Sequence, residues 1–289
     1  MTKKGLDHQS NPENSERHEQ TGQPGPSSSA PGHSSIGQAG GENAEILRKI
    51  ARAIRAGAPS DEILPEPAPA REHLIGNEQS RIRDLMAAGA VVSVEDAALE
   101  PLQILSNRTS EHEVRQTGDG LRVIKRTWAG VYGQVPVWEG NTLLRHPATP
   151  SEYLIRQALQ NETFGSEIRF DGVNVSDKPS MILFHPAGEP SFVVSQPFLV
   201  AADPNNASPA AERVAEFMQD EGFVEVTGSY FGWVRPADGI AVVDAKPDNF
   251  ILTEEGVVPI DLQMAQLPEA VNYGLEGGGT DDVGLVPVP

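Results

Sequence analysis

Between Ile240 and Asp261 the chain reads Ile-Ala-Val-Val-Asp-Ala-Lys-Pro-Asp-Asn-Phe-Ile-Leu-Thr-Glu-Glu-Gly-Val-Val-Pro-Ile-Asp, and its polar residues fall where chemistry can be done. An apolar strand, Ile240–Val243, delivers Asp244, and a short polar loop runs from Asp244 to Asn249. Phe250–Leu252 and Val257–Ile260, joined by a turn at Glu255-Gly256, form a hairpin that ends on Asp261. Phosphoryl transfer from ATP needs a carboxylate to orient the attacking hydroxyl and an amide oxygen with a second carboxylate to hold magnesium. It also needs a cation to stabilise the moving group. Asp244, Asn249, Asp261 and Lys246 supply these in that order. The competing reading is a plain polar turn between strands, since Asp, Pro and Asn are ordinary turn residues.

The wording Asp-x-Lys-Pro-x-Asn resembles the catalytic loop of serine/threonine protein kinases, with the Asp-to-Asn spacing kept. Leu121-Arg-Val-Ile-Lys125 likewise resembles the kinase strand whose lysine binds phosphate, which makes Lys125 the candidate ATP ligand. Glu152, in the helix that follows, is the candidate partner of Lys125 or simply the closing residue of its own helix cap. Glu162, at the far end of that helix, is the alternative partner. Gln196-Pro-Phe198 stands where a hinge would contact adenine, so Gln196 and Phe198 join the candidate ATP-binding residues.

The elements that must position these groups change character along the chain. Met1–Glu42 has no aromatic residue and is dominated by Ser, Gly, Pro, Gln and His, so it reads as a disordered tail. Asn43–Gly57 places Ile46, Leu47, Ile50 and Ile54 at helical spacing with basic residues between them, an amphipathic helix whose basic face is either solvated or meets a partner. Ala58–Glu72 reads as a Pro-rich linker and Asn77–Ala88 as a second helix. Strands are expected at Leu102–Leu105, Glu113–Gln116 and Leu121–Arg126, with a hairpin turn at Thr117–Gly120. Thr149-Pro-Ser-Glu152 has the signature of a capping box opening a helix that Gly165 stops. Further strands are expected at Met181–Phe184, Ser191–Val200, Tyr230–Val234 and Ile240–Val243, with a helix over Pro209–Asp220. This order predicts an α+β fold of antiparallel sheets, not a doubly wound parallel one.

Composition narrows the function classes. A formal net charge of −19 over 289 residues argues against direct nucleic-acid binding and against anionic membranes. With no cysteine there is no disulfide, thiolate metal site or cysteine nucleophile. No apolar run reaches the roughly 18–20 residues of a membrane helix. Met-Thr-Lys-Lys-Gly5 lacks the apolar stretch of a secretory signal, so a cytoplasmic protein is expected.

From about Pro101 to Leu267 the chain resembles the serine/threonine/tyrosine kinase domain found in polyvalent proteins of phages and mobile elements. The resemblance rests on Ser110-Glu-His-Glu-Val114, Gly120-Leu-Arg-Val-Ile-Lys-Arg-Thr127, Ala148-Thr-Pro-Ser-Glu-Tyr-Leu154, Asn161-Glu-Thr-Phe-Gly165, Ser195-Gln-Pro-Phe198, Asp244–Asn249 and Pro259-Ile-Asp261. It implies a reduced protein-kinase-like bilobal fold, with a small antiparallel N-lobe plus one helix and a short C-lobe, in a bacterial or phage-encoded protein. It implies ATP, Mg2+ and a hydroxyl-bearing protein or small-molecule acceptor. The expected division is a tail over 1–42, a helical segment and linker over 43–94, the kinase-like domain over 95–270 and a flexible tail over 271–289. There are departures. Val242-Val243 replaces the usual His-Arg, Asp261-Leu-Gln263 replaces Asp-Phe-Gly, and Ser106–His112 occupies the place of a Gly-rich loop. The 28 residues after Asp261 (262–289) are too few for a helical peptide platform. The alternative to a phosphotransferase is therefore a catalytically silent kinase-like module that binds nucleotide or protein.

Overall fold

The computed structural model describes residues 33–55, 67–107, 111–140, 142–176 and 187–268. Helix α1 (His33–Arg55), α2 (Ala68–Ala87) and the single turn α3 (Asp96–Leu99) lead into a meander of β1 (Gln103–Ser106), β2 (His112–Gln116) and β3 (Arg122–Thr127). At the expected β2–β3 turn, Gly120 has φ +73° and its N–H donates to the Thr117 carbonyl at 2.9 Å. A separate hairpin, β4 (Gln134–Glu139) and β5 (Thr142–Pro147), precedes α4 (Pro150–Phe164). Strands β6 (Arg169–Val175) and β7 (Pro190–Pro197) then return to the first sheet, whose five strands run β1-β2-β3-β7-β6. After α5 (Ala211–Asp220) come β8 (Val224–Glu225), β9 (Trp233–Arg235) and β10 (Ile240–Val243). A 3-10 turn (Pro247–Asn249) leads to the hairpin β11 (Phe250–Thr253) and β12 (Gly256–Pro259), and β13 (Gln263–Gln266) closes a four-stranded sheet ordered β13-β10-β9-β8. All pairings between these strands are antiparallel, the expected α+β class.

Helix α4 is the central element. Its start is the expected capping box: Thr149 accepts from the Glu152 amide, and the Glu152 carboxylate accepts from the Thr149 amide at 2.7 Å. Gly165 ends the helix in the left-handed region at φ +65°, where glycine carries no Cβ penalty. Tyr153, Leu154, Ile155, Ala158 and Leu159 are all buried in one apolar cluster with Leu47, Ala51 and Ile54 of α1 and with Phe192, Val242, Phe250 and Leu262. That cluster joins both sheets through α4. Its members at full burial each contribute on the order of 1.5–3 kcal/mol of hydrophobic stabilisation.

Several boundaries differ from the sequence expectation. Helix α1 begins at His33, so residue 42 lies inside it and not at its start. Its basic residues are partly used within the chain: Arg48 pairs with Glu162 at 2.7 Å and Arg55 donates to Ser151 Oγ at 2.9 Å. Through its apolar face α1 shares the core of α4, which makes the helical segment part of the same packed body. Helix α2 starts at Ala68, inside the expected linker, because Pro at the first turn of a helix costs nothing there. Strands β4, β5, β6, β8 and β13 have no counterpart in the reading of the sequence. Pro136 interrupts the strand signal of β4, and a bulge at Phe170/Gly172 interrupts that of β6. The expected strand Met181–Phe184, the linker up to residue 66 and the tail beyond residue 268 lie outside the described residues, as do residues 1–32.

Candidate functional site

Strand β10 is apolar because it is covered on both faces. Val242 and Val243 are fully buried and pair with Met264 and Gln263 of β13. Both valines pack the core. The strand delivers Asp244 in the left-handed region at φ +59°, a conformation that aspartate tolerates better than most residues. Its amide donates to the Tyr230 carbonyl at 3.3 Å, and the Ala245 amide to that of Phe231 at 3.2 Å. The loop then folds back on itself. Asn249 Nδ2 donates to the Asp244 carbonyl at 2.7 Å and to Asp244 Oδ2 at 3.0 Å, while Lys246 Nζ lies 3.4 Å from the same oxygen. Asp244, Lys246 and Asn249 are thus held as one unit.

Asp261 and Lys125 meet from opposite strands. The Ile260 amide donates to the Asn249 carbonyl at 2.9 Å, which ties the end of β12 to the polar loop. Lys125 on β3 donates to the Ile260 carbonyl, and its Nζ lies 4.0 Å from Asp261 Oδ1. Burial pushes the Lys125 ammonium down, and Asp261 and Glu111 offset part of that. Glu152 is not its partner. The Glu152 carboxylate is bound to Arg71 of α2 and to its own cap amide, so the capping role excludes the lysine. Glu162 pairs with Arg48 and is likewise elsewhere. Gln196 of β7 lies across from Val123 of β3, and Phe198 follows the end of β7, its amide donating to the Leu121 carbonyl at 2.9 Å. Both sit beside the lysine strand, and neither shares a hydrogen bond with Asp244, Asn249 or Asp261 among the described residues.

A second anion whose charge acts on Lys125, after Asp261, is Glu111, just before β2. Arg156 of α4, with no exposed surface, grips it with both terminal nitrogens, one of them 3.2 Å from Oε2. Burial acts to raise the Glu111 carboxyl, but the Arg156 guanidinium and then His112 outweigh it and hold the group well below the usual carboxylate range. Burial lowers the Arg156 guanidinium in turn, and Glu111 more than reverses this. His112 lies 3.1 Å from Glu111 Oε1, 3.1 Å from the Tyr153 hydroxyl and 3.8 Å from Asp261 Oδ2. Glu111, His112 and Asp261 bring one possible ligand atom each within 4.8 Å of one another. The adjoining Arg156 and Lys125 charges oppose a divalent cation between those three. Room for Glu111 depends on Gly133, which has φ +72° and on which a Cβ would overlap the Glu111 carboxylate. Gly133→Ala should therefore destabilise by more than about 1 kcal/mol, read as a fall in Tm of several degrees. An unchanged Tm would show that Glu111 is free to move.

Glu111, Arg156 and His112 were absent from the candidate residues drawn from the sequence. The segment Ser110–Val114 carries Glu111 and His112, but nothing local announces that a glutamate there meets an arginine 45 positions on. Asp244, Lys246 and Glu111 also line an open pocket of about 260 Å³. No protein-family model, curated protein or solved structure matches the chain. Among the described residues no helix is long and apolar enough to cross a membrane.

Proposed function

We propose that the chain is an ATP- and magnesium-dependent phosphotransferase of reduced protein-kinase-like organisation that moves the γ-phosphoryl group onto a hydroxyl. One observation carries this reading. Asn249 closes the 244–249 loop onto Asp244 with Lys246 on the same carboxylate, and its carbonyl accepts from Ile260, past the end of β12 and next to Asp261, which lies opposite Lys125. Support also comes from order. A lysine on the third strand of the sheet, a buried helix, the polar loop and a strand-terminal aspartate follow one another as the roles in kinases do.

The residues fit the two ligands by their chemistry. Asp261 has carboxylate oxygens, and Asn249, whose Nδ2 is used on Asp244, has its amide oxygen left for a hard cation. In this reading Lys125 binds phosphate oxygens, and Gln196 on the neighbouring strand and Phe198 just past its end meet the base. Magnesium held this way would neutralise charge on the phosphate chain. Asp244 orients the acceptor hydroxyl and takes its proton, and Lys246, 3.4 Å from that carboxylate, stabilises charge on the oxygens in transfer.

Magnesium-dependent ATP binding and phosphate transfer by the full chain test the reading. Lys125→Ala should weaken Mg-ATP binding by about 1.5–3 kcal/mol, and Asp261→Asn should lose the magnesium-dependent part of the affinity. ATP binding that neither substitution changes would refute the assignment. A silent kinase-like module is the second reading, and Leu262 and Gln263 favour it. Leu262 is buried in the core and Gln263 is paired in β13, so no glycine pivot follows Asp261. Tight Mg-ATP binding without transfer to any hydroxyl would select that reading.

A further inference from the structure

The β4–β5 hairpin, inserted between the lysine strand and α4, packs against β10 and β13 and brings Arg145 to the polar loop. Its Trp138 and Leu143 form an apolar cluster with Val226, Val234, Ala241, Val243 and Leu267. With the hairpin so fixed, Arg145 Nη1 on β5 lies 4.0 Å from Asp244 Oδ1, and its guanidinium stacks on the Tyr230 ring at 4.5 Å. Arg145, Tyr230, Asp244, Lys246, Glu111 and Gln263 all line the pocket of about 260 Å³. The volume is below the roughly 300–1,000 Å³ of pockets that bury drug-sized ligands, so its occupant is small.

The charges in its wall are unevenly satisfied. Glu111 is already neutralised by Arg156, and Asp244 is held by Asn249 and Lys246. Among the described residues the one ion pair of Arg145 is the 4.0 Å contact, at the outer limit of such a pair, and its side chain is 37% exposed. A stacked, half-exposed guanidinium is suited to a carboxylate or phosphate, which it can bind by two parallel hydrogen bonds. A second unsatisfied group belongs to another residue of the pocket lining. Gln263 Oε1 is buried without a hydrogen-bond partner among the described residues, and a turn of its amide toward the pocket would let it accept from a ligand O–H or N–H.

We infer that this pocket holds the acceptor, and that the acceptor is a small hydroxylated anion of the sugar-acid or sugar-phosphate kind, not a peptide. The anionic end is taken by Arg145, a second hydroxyl donates to Gln263, and the reacting hydroxyl lies at Asp244. The O–H proton passes to Asp244 as its oxygen forms the new P–O bond and ADP leaves with the electrons of the old one. The inference rests on the phosphotransferase reading above. It also explains why the chain beyond Asp261 runs directly into β13, which forms a pocket wall through Gln263.

The test compares transfer from Mg-ATP by the full chain to glycerol, glycerate, glycerol 3-phosphate and a degenerate Ser/Thr/Tyr peptide mixture. Glycerate or glycerol 3-phosphate should exceed glycerol in kcat/KM by about tenfold or more, the value of one charged hydrogen bond. Which of the two leads decides between carboxylate and phosphate. Arg145→Met should abolish that preference, and Arg145→Lys should restore part of it. Mg-ATP binding with no preference for either anion, with peptides favoured over both, or with Arg145→Met lowering glycerol and the anions alike, overturns the acceptor assignment and leaves the phosphotransferase reading standing. Absence of Mg-ATP binding overturns that reading and the acceptor with it.

Discussion

Asp244→Asn should lower phosphoryl transfer by about 10²–10⁴-fold, the range for loss of a positioned general base, while Mg-ATP affinity stays near that of the parent. The asymmetry follows from where the carboxylate acts. Asp244 orients a hydroxyl and receives its proton, so its contribution is made in the transition state and not in the bound nucleotide. Asparagine is the right probe because the backbone at this position is left-handed, at φ +59°, and asparagine tolerates that region as aspartate does. The new amide oxygen can still accept from Asn249 Nδ2, so the loop keeps its closure. Asp244→Ala would mix loss of chemistry with backbone strain. Paired with Asp261→Asn, which loses magnesium-dependent affinity together with activity, the variant separates the two roles. If both variants bind Mg-ATP like the parent and the parent itself transfers nothing, the enzyme reading fails.

The parts of the site that were legible in the sequence are those set by short-range rules. The apolar run into Asp244, the turn chemistry of the 244–249 loop and the strand leading toward Asp261, which ends at Pro259, depend on neighbours within a few residues. The capping box at Thr149 and the glycine stop at Gly165 were legible for the same reason. The same box misled the search for the lysine's partner. A glutamate at the third position of a helix is as well explained by its cap as by a distant cation, and here the cap and Arg71 of α2 hold it. Arg156 was hidden for another reason. Helix α4 is covered on all sides, so it has little amphipathic contrast, and an inward arginine among Tyr153, Ile155 and Leu159 carries no periodic signature. Its carboxylate lies 45 residues upstream in a different element. Arg145 reached Asp244 only because a hairpin with a proline in its first strand folded against β10, a placement that depends on the tertiary packing of Trp138 and Leu143.

The buried Glu111–Arg156 pair carries the largest stability effect expected in the molecule. Arg156→Met preserves most of the buried volume but leaves the Glu111 carboxylate without its main partner, and should destabilise the fold by about 3–5 kcal/mol. Removing both charges, in Glu111→Gln with Arg156→Met, should recover much of that loss, because neither an unpaired ion nor its desolvation remains. The pH dependence has opposite signs in parent and variant. In the parent, the Glu111 carboxyl is held below its unfolded value by Arg156 and His112 against burial, so its contribution is complete above the ordinary carboxylate range. That contribution is lost as pH falls through the folded value. In Arg156→Met, burial faces only the weaker pull of His112, so the carboxyl moves up and the folded state takes up a proton on acidification. The difference in Tm between parent and variant should therefore be largest near pH 7 and narrow toward pH 5. A constant difference across that range would show that Glu111 stays ionised without Arg156, and would locate the stabilising charge elsewhere in the His112–Asp261–Lys125 cluster.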